Sequence, residues 1–299
     1  MKGSINYQTN QIWNQLDQIK KSKKEARQET SNKGANGHKV SQYVHGVKYK
    51  NDVLQITREL GNFAKNNFNI KDMQQISNEI VHQFIHSKIE DGVTNGSLKG
   101  YISKLEKVHS GLNKMSKNIK SHNNLFDRNT LKDLRKDVDK FAIKTKHVNR
   151  GYINPQVIIN SVKGINNLSA QLQFHHGLRV LEATQISSSQ MLGKNEMLIK
   201  GKGGFERTIK VDPQLYKNIL KVIKEEGSFS IKYEHYRDDL IDAVKLKGEK
   251  YTGTHGLRYS YAQHKFAEYS KTMPYQNALQ KVSYDLGHKR AEITKHYLK

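Results

Sequence analysis

The sequence predicts a mainly α-helical chain with a small antiparallel β-hairpin, or small sheet, in its C-terminal half. Three observations carry this. Apolar residues recur at the three- and four-residue spacing of a single helix face along most of the chain. One stretch alone, 196–200 and 205–211 around Gly201-Lys202-Gly203-Gly204, reads as two β-prone runs flanking a glycine-rich turn. Three prolines in 299 residues leave no long proline-rich linker. The length suits one large domain or two ordinary ones. The pattern divides into a basic N-terminal helix and linker over 1–37, a helical domain over 38–147, and a mixed domain over 148–299.

In the first segment Ile12, Trp13, Leu16 and Ile19 recur at helical spacing, and Lys20, Lys21, Lys23, Lys24 and Arg27 follow. A polar, glycine-containing run over 29–37 reads as the linker. The apolar stripe is expected to dock on a partner subunit or to track a polyanion; the plain alternative is a solvated basic helix. Over 38–147 four helices are marked by Val53, Ile56, Leu60 and Phe63, by Ile80, Val81, Phe84, Ile85 and Ile89, by Leu98, Tyr101, Ile102, Leu105 and Val108, and by Leu131, Leu134 and Val138 within 125–141. Asp72, with Gln75 three residues on, is expected to cap the second of these, and 92–96 to break the second from the third. Residues 148–155 read as the joint between domains, with Asn154 as a cap and Pro155 in a first helical turn. Helices are then expected over 155–165 and 167–176 and, after the hairpin, over 213–226, 233–247, 255–270, 275–286 and 290–297. Most of these apolar residues are simply core.

The charge balance narrows the partners. Lys+Arg number 51 against 28 Asp+Glu, a formal net charge of +23. Such an excess repels itself in the folded state and attracts polyanions, nucleic acid first and an anionic membrane surface second. Lysine-rich codon bias is the bland account, but bias usually raises Glu together with Lys. The chain has no cysteine, which excludes disulfides and thiolate metal sites and fits a reducing compartment. The N-terminus lacks the apolar run of a signal peptide, and no stretch approaches the ~20 apolar residues of a membrane-spanning helix.

Six positions then stand out by order rather than singly: Arg179, Lys202, His255, Arg258, His288 and Tyr297. Arg179 lies among Leu178, Val180 and Leu181, company in which an arginine must be paired or face a ligand; Glu182 is a structural partner within reach. Lys202 sits between glycines that let a turn approach a phosphate backbone, with Lys194 and Lys200 as rivals. His255 and Arg258, three apart at a helix start, share a face at an end that favours an anion. Tyr297 follows His288 by nine residues and is one of 15 tyrosines. Taken alone, each is an ordinary surface, turn or core residue. Taken together, two arginines, two histidines, a lysine and a tyrosine offer cations, an acid, a base and a nucleophile for metal-free phosphoryl transfer.

Gly177-Leu178-Arg179-Val180-Leu181-Glu182, Gly201-Lys202-Gly203, His255-Gly256-Leu257-Arg258, Leu286-Gly287-His288 and Tyr297, with Thr294, resemble the motifs of the tyrosine recombinase (phage integrase) family. The resemblance covers roughly residues 150–299; residues 38–147 are similar only in helical layout to that family's core-binding domain. It implies a two-domain DNA clamp, a helical core-binding domain joined to a catalytic domain. It implies a site-specific recombinase that needs neither metal nor cofactor. Tyr297 would attack a phosphodiester to leave a 3′-phosphotyrosyl link. Arg179 and Arg258 would hold the non-bridging oxygens, and Lys202 would protonate the leaving 5′-oxygen. His255 would serve as base, and His288 would hydrogen-bond the phosphate. The implied partners are double-stranded DNA with specific sites and three further copies of the chain in a homo-tetramer on that DNA, in the cytoplasm at the nucleoid, with no membrane. Accessory proteins stay open. Two features depart from the pattern: a longer interval from Arg258 to His288, with Lys271-Thr272-Met273-Pro274 as the extra loop, and only two residues after Tyr297. The second leads to the expectation that subunit contacts come from the helix around Trp13 or from the Tyr297 helix. Two other readings remain: a type IB topoisomerase-like enzyme that nicks and reseals, and an architectural DNA-binding protein without activity.

Overall fold

The computed structural model describes the chain except residues 35–36, 117–124, 146–147, 202–203, 289 and 299. Helices form over most of the stretches in which the apolar spacing marks a face, and the chain divides into two units, Met1–Lys146 and His147–Lys299.

The first unit is helical. Its described elements are α1 (Ile5–Asn14), α2 (Lys23–Gln28), α3 (Val47–Phe68), α4 (Asn78–Glu90), α5 (Asn95–Ser116) and α6 (Arg128–Phe141). Short polar side chains set the starts: Ser4 accepts from the Tyr7 N–H, Ser77 from Ile80 and Asp127 from Thr130. Asp72 does not cap α4 as expected. It accepts from the Gln74 N–H and caps the single 3-10 turn Met73–Gln75, because the chain bends again at Ile76 before α4 begins. The break before α5 is shorter than expected, and Gly96 lies inside the first turn of α5.

The N-terminal stripe is also corrected. Ile12, Trp13 and Leu16 are buried in one core with Val53, Ile56 and Leu60 of α3 and Leu105, Val108 and Leu112 of α5. Each such side chain stabilises its own unit by about 1.5–3 kcal/mol, so the stripe serves an internal interface. The expected single basic helix is two short ones, parted where Lys20 takes a left-handed φ of 70°.

The second unit surrounds a core of helices and small sheets: α7 (Pro155–Ile159), α8 (Gly164–His176), α9 (Val180–Thr184), α10 (Pro213–Glu226), α11 (Tyr233–Leu246), α12 (Gly256–Tyr269), α13 (Tyr275–Asp285) and α14 (Ala291–Thr294), with β1 (Gln185–Ser187), β2 (Met191–Gly193), β3 (Glu196–Lys200), β4 (Glu206–Lys210) and β5 (Ser228–Ser230). The expected hairpin is β3–β4, with Met197 opposite Ile209 and Ile199 opposite Arg207. It gains β2 as a third antiparallel strand, and β1 pairs with β5 in a separate two-stranded ribbon. These added strands are only three residues long, too short to show a period of two. The helix expected over 155–165 ends at Ile159. Pro155 begins it as expected, whereas Asn154 makes no side-chain cap. The last expected helix is α14 followed by a 3-10 turn, Lys295–Tyr297. Residues 271–274 form the turn between α12 and α13, closed by the Met273 N–H on the Tyr269 carbonyl at 3.0 Å.

Candidate active site

Four helix ends and one strand bring the motif residues together. Gly177 ends α8 in the left-handed region at φ 62° and turns the chain so that Arg179 becomes the N-cap of α9. A Cβ at Gly177 would stand 2.5 Å from the Tyr261 ring, so both the turn and the packing demand glycine. The first turn of α9 places Glu182 back over its own start. Its carboxylate accepts from the Arg179 backbone N–H at 3.0 Å and from Arg179 Nη1 at 2.7 Å.

Glu182 is the hub. Its side chain is 5% exposed, and besides Arg179 it meets Arg207 Nη2 at 3.3 Å and Arg258 Nη1 at 4.0 Å. Burial alone would raise the Glu182 carboxyl, but the backbone N–H and guanidinium of Arg179, with the charge of Arg207, hold it below the usual carboxylate range. One buried carboxylate thus gathers three guanidinium groups that would otherwise repel one another. The cluster carries a net positive charge in a medium that screens it poorly.

Arg258 is completely buried. It enters from the first turn of α12 and donates from Nη1 to the Gly177 carbonyl, and from Nη2 to the Leu286 carbonyl at 2.7 Å and His288 Nε2 at 3.0 Å. Burial lowers its pKa to about 10, against the opposite pull of Tyr297. Because Arg258 can only donate, His288 Nε2 accepts, which leaves the ring proton on Nδ1, 3.1 Å from Thr294 Oγ1. Burial and the charges of Arg258, Arg179 and Arg207 push His288 down to about 3. His255, the N-cap of α12, is lowered to about 4 by burial and by Arg258, Arg150 and Arg179.

Tyr297 stands above this group. The Arg258 Cζ lies 5.6 Å from its ring centroid, and the His288 and Tyr259 rings lie 5.4 Å and 4.4 Å away. Gln263 Nε2 fixes the Tyr297 carbonyl at 3.0 Å. Arg179, His255, Arg258, His288 and Tyr297 therefore occupy one neighbourhood of the second unit. Lys202 lies outside the described residues. The root of its turn, Gly201, sits at this place, since a Cβ there would be 3.5 Å from Glu182 Oε1 and 3.8 Å from Arg179 Nη1.

Arg207 was not singled out from the sequence. Its side chain is 2% exposed, and its Nε and Nη1, like Arg258 Nε, have no hydrogen-bond partner among the described residues. Unpaired buried donors cost about 1–3 kcal/mol each and gather where a site is built for a ligand. The signal was there: Arg207 occupies the core-facing phase of β4, opposite Ile199, a slot that alternation reserves for an apolar residue.

No protein-family model matches the chain, and no curated protein sequence matches it. Solved structures do. XerH site-specific recombinase, in a post-cleavage complex with its palindromic difH substrate, superposes with a TM-score of 0.63 at 17% identity, over 98% of this chain and 90% of that one. A lambda integrase dimer bound to a COC′ core site gives 0.58 at 15%, over 85% and 73%. The Tn1549 transposon integrase with transposon right end DNA gives 0.55 at 12%, over 99% and 95%. The chain has the tyrosine recombinase fold. In this recombinase fold the two helical expectations of the sequence, a helical first unit and a mostly helical second unit with small antiparallel sheets, are met together. At these identities the likeness speaks for the fold, and the chemistry rests on the side chains themselves.

Proposed function

We propose that the chain is a site-specific DNA recombinase that cuts and rejoins DNA through a 3′-phosphotyrosyl intermediate. The observation that carries this is the position of Tyr297, a phenol set against Arg258 and His288 beside a cluster of three arginines on one carboxylate. A phenol with a reference pKa of about 10 attacks phosphorus only where cations and a base attend it.

In the proposed step the Tyr297 oxygen attacks the scissile phosphorus and its proton passes to His255. Arg179 and Arg258 neutralise the non-bridging oxygens as charge builds. The bond to the 5′-oxygen breaks, and Lys202 supplies that oxygen's proton. The phosphodiester is exchanged for a phosphotyrosyl ester, so no outside energy source is needed to reseal it. A 5′-hydroxyl from a second duplex reverses the step and completes strand exchange, in a tetramer on two sites. In this scheme the nucleophile serves its own subunit's cations, which the 5.6 Å between Arg258 Cζ and the Tyr297 ring centroid supports. The place of action is the nucleoid, where double-stranded DNA is.

A nicked suicide substrate tests this. The native chain should form a protein–DNA adduct that survives denaturant, and Tyr297→Phe should bind the same DNA without forming it. Equal absence of adduct in both, with binding intact, would leave a DNA-binding architectural protein and sink the enzymatic reading. Recombinant products, rather than relaxation of supercoils alone, separate a recombinase from an enzyme that only nicks and reseals.

A further inference from the structure

The first unit carries a group of side chains that the proposed chemistry does not use. His82 and His86 stand one turn apart on α4, and Asp137 reaches toward them from α6. The imidazole rings are stacked, with centroids 4.2 Å apart and planes 15° from parallel. Both Nε2 atoms converge on the same carboxylate oxygen, Asp137 Oδ2, at 3.4 Å and 3.3 Å. One ligating atom from each residue can be chosen so that all three lie within 4.8 Å of one another, and no other such group occurs among the described residues.

Two accounts of this geometry compete. In the first, each imidazole donates a hydrogen bond to the carboxylate. Charge-assisted bonds of that kind contract to about 2.7–2.9 Å, and 3.3–3.4 Å is long for two of them on one oxygen. In the second, the three atoms are edges of a coordination polyhedron. A tetrahedral ion with bonds of about 2.0–2.1 Å to nitrogen and oxygen sets its ligands roughly 3.3–3.4 Å apart, the separation seen on both edges. The sequence spacing agrees, because histidines at i and i+4 on one helix face present two ring nitrogens to a common point. The side chains are 46%, 32% and 31% exposed, which leaves an entry path and room for water in the remaining positions.

We propose that His82, His86 and Asp137 form a binding site for a divalent transition-metal ion of the zinc class, which clasps α4 to α6. Two imidazoles with one carboxylate select borderline ions and are a poor set for Mg2+ or Ca2+, which ask for oxygen. Because the ligands come from two helices already packed together, the ion acts on the stability of this unit.

The test uses the full chain without an affinity tag, stripped with chelator and then titrated. Calorimetry should show a Zn2+ site that weakens at least tenfold in His82→Gln and in Asp137→Asn, with Mg2+ giving no such site. Zn2+ in roughly hundredfold excess over its dissociation constant should raise the unfolding midpoint of the native chain by several degrees, and that of either variant by about half as much or less. Co2+ should give the strong visible bands of a four-coordinate ion in the native chain alone. His82 is half exposed, so His82→Gln leaves the metal-free midpoint unchanged and separates loss of the site from loss of fold. Zn2+ binding that is absent, or that is equal in the native chain and both variants, overturns the proposal.

Discussion

His288 shows how much a single side chain is constrained by its neighbours. Arg258 Nη2 donates to its Nε2, so a second proton there would face a buried guanidinium at 3.0 Å. That repulsion, after burial, is why the ring falls to about 3 from an ordinary 6.5. The sign for stability follows. Between these values the unfolded chain binds a proton that the folded chain refuses, so this contribution is complete above pH 6.5 and is lost as pH falls toward 3. His255, lowered to about 4, adds a second loss of the same sign over a similar window. A phosphate would change the picture, since its oxygens accept from Arg258 and favour a protonated imidazole beside them. The His288 ring resonances, assigned by comparison with His288→Gln, should therefore titrate well below 6.5 in the free protein and move upward on binding DNA. A free-protein midpoint near 6.5 would show that the Arg258 contact does not govern this ring.

At the scale of elements, the site depends on turns that only certain residues allow. Gly287 follows the end of α13 at φ 67°, and a Cβ there would lie 2.6 Å from Arg207 Nη1. Gly193 sits at φ 85° with nothing within 4 Å of such a Cβ. Both Gly→Ala substitutions incur the left-handed backbone cost of about 1–2 kcal/mol. Only Gly287→Ala must also displace a buried arginine and, through it, Glu182. Chemical denaturation should show Gly287→Ala the more destabilised of the pair by about 1 kcal/mol or more, with adduct formation on the suicide substrate lowered as well. Equal losses would mean that Arg207 yields freely. The same contrast explains what was legible beforehand. Helices such as α3, α5 and α10 were plain because a long apolar face repeats many times. The motif glycines, arginines and histidines were plain because their order is rare. Strands of three residues hold no repeat, and Arg207 stands out only as a cation in the apolar phase of β4, its meaning lying in a contact with Glu182, 25 residues away. Likewise the burial of Trp13 depends on helices 40 and more residues further on, beyond the reach of any local pattern.

For the whole molecule the governing quantity is a formal net charge of +23. A chain so charged can be held to DNA mostly by displacing counterions, and each phosphate neutralised steepens the fall of log affinity with log salt by roughly 0.9. If six or more phosphates are engaged, affinity should drop by ~10³ or more between 50 mM and 200 mM salt. Fluorescence anisotropy of a labelled duplex over that range measures the slope. Removing one exposed lysine that touches a phosphate should lower the slope by about one, whatever the sequence of the duplex. Tyr297→Phe should leave it unaltered, because the change removes no cation. The competing destination for so basic a chain is an anionic bilayer, and no described helix is long and apolar enough to cross one. Anionic lipid vesicles in the same titration make the comparison direct: duplex DNA should compete the chain off them. A slope near zero on DNA, or retention on vesicles in the presence of excess duplex, would mean that the charge serves something other than a nucleic acid.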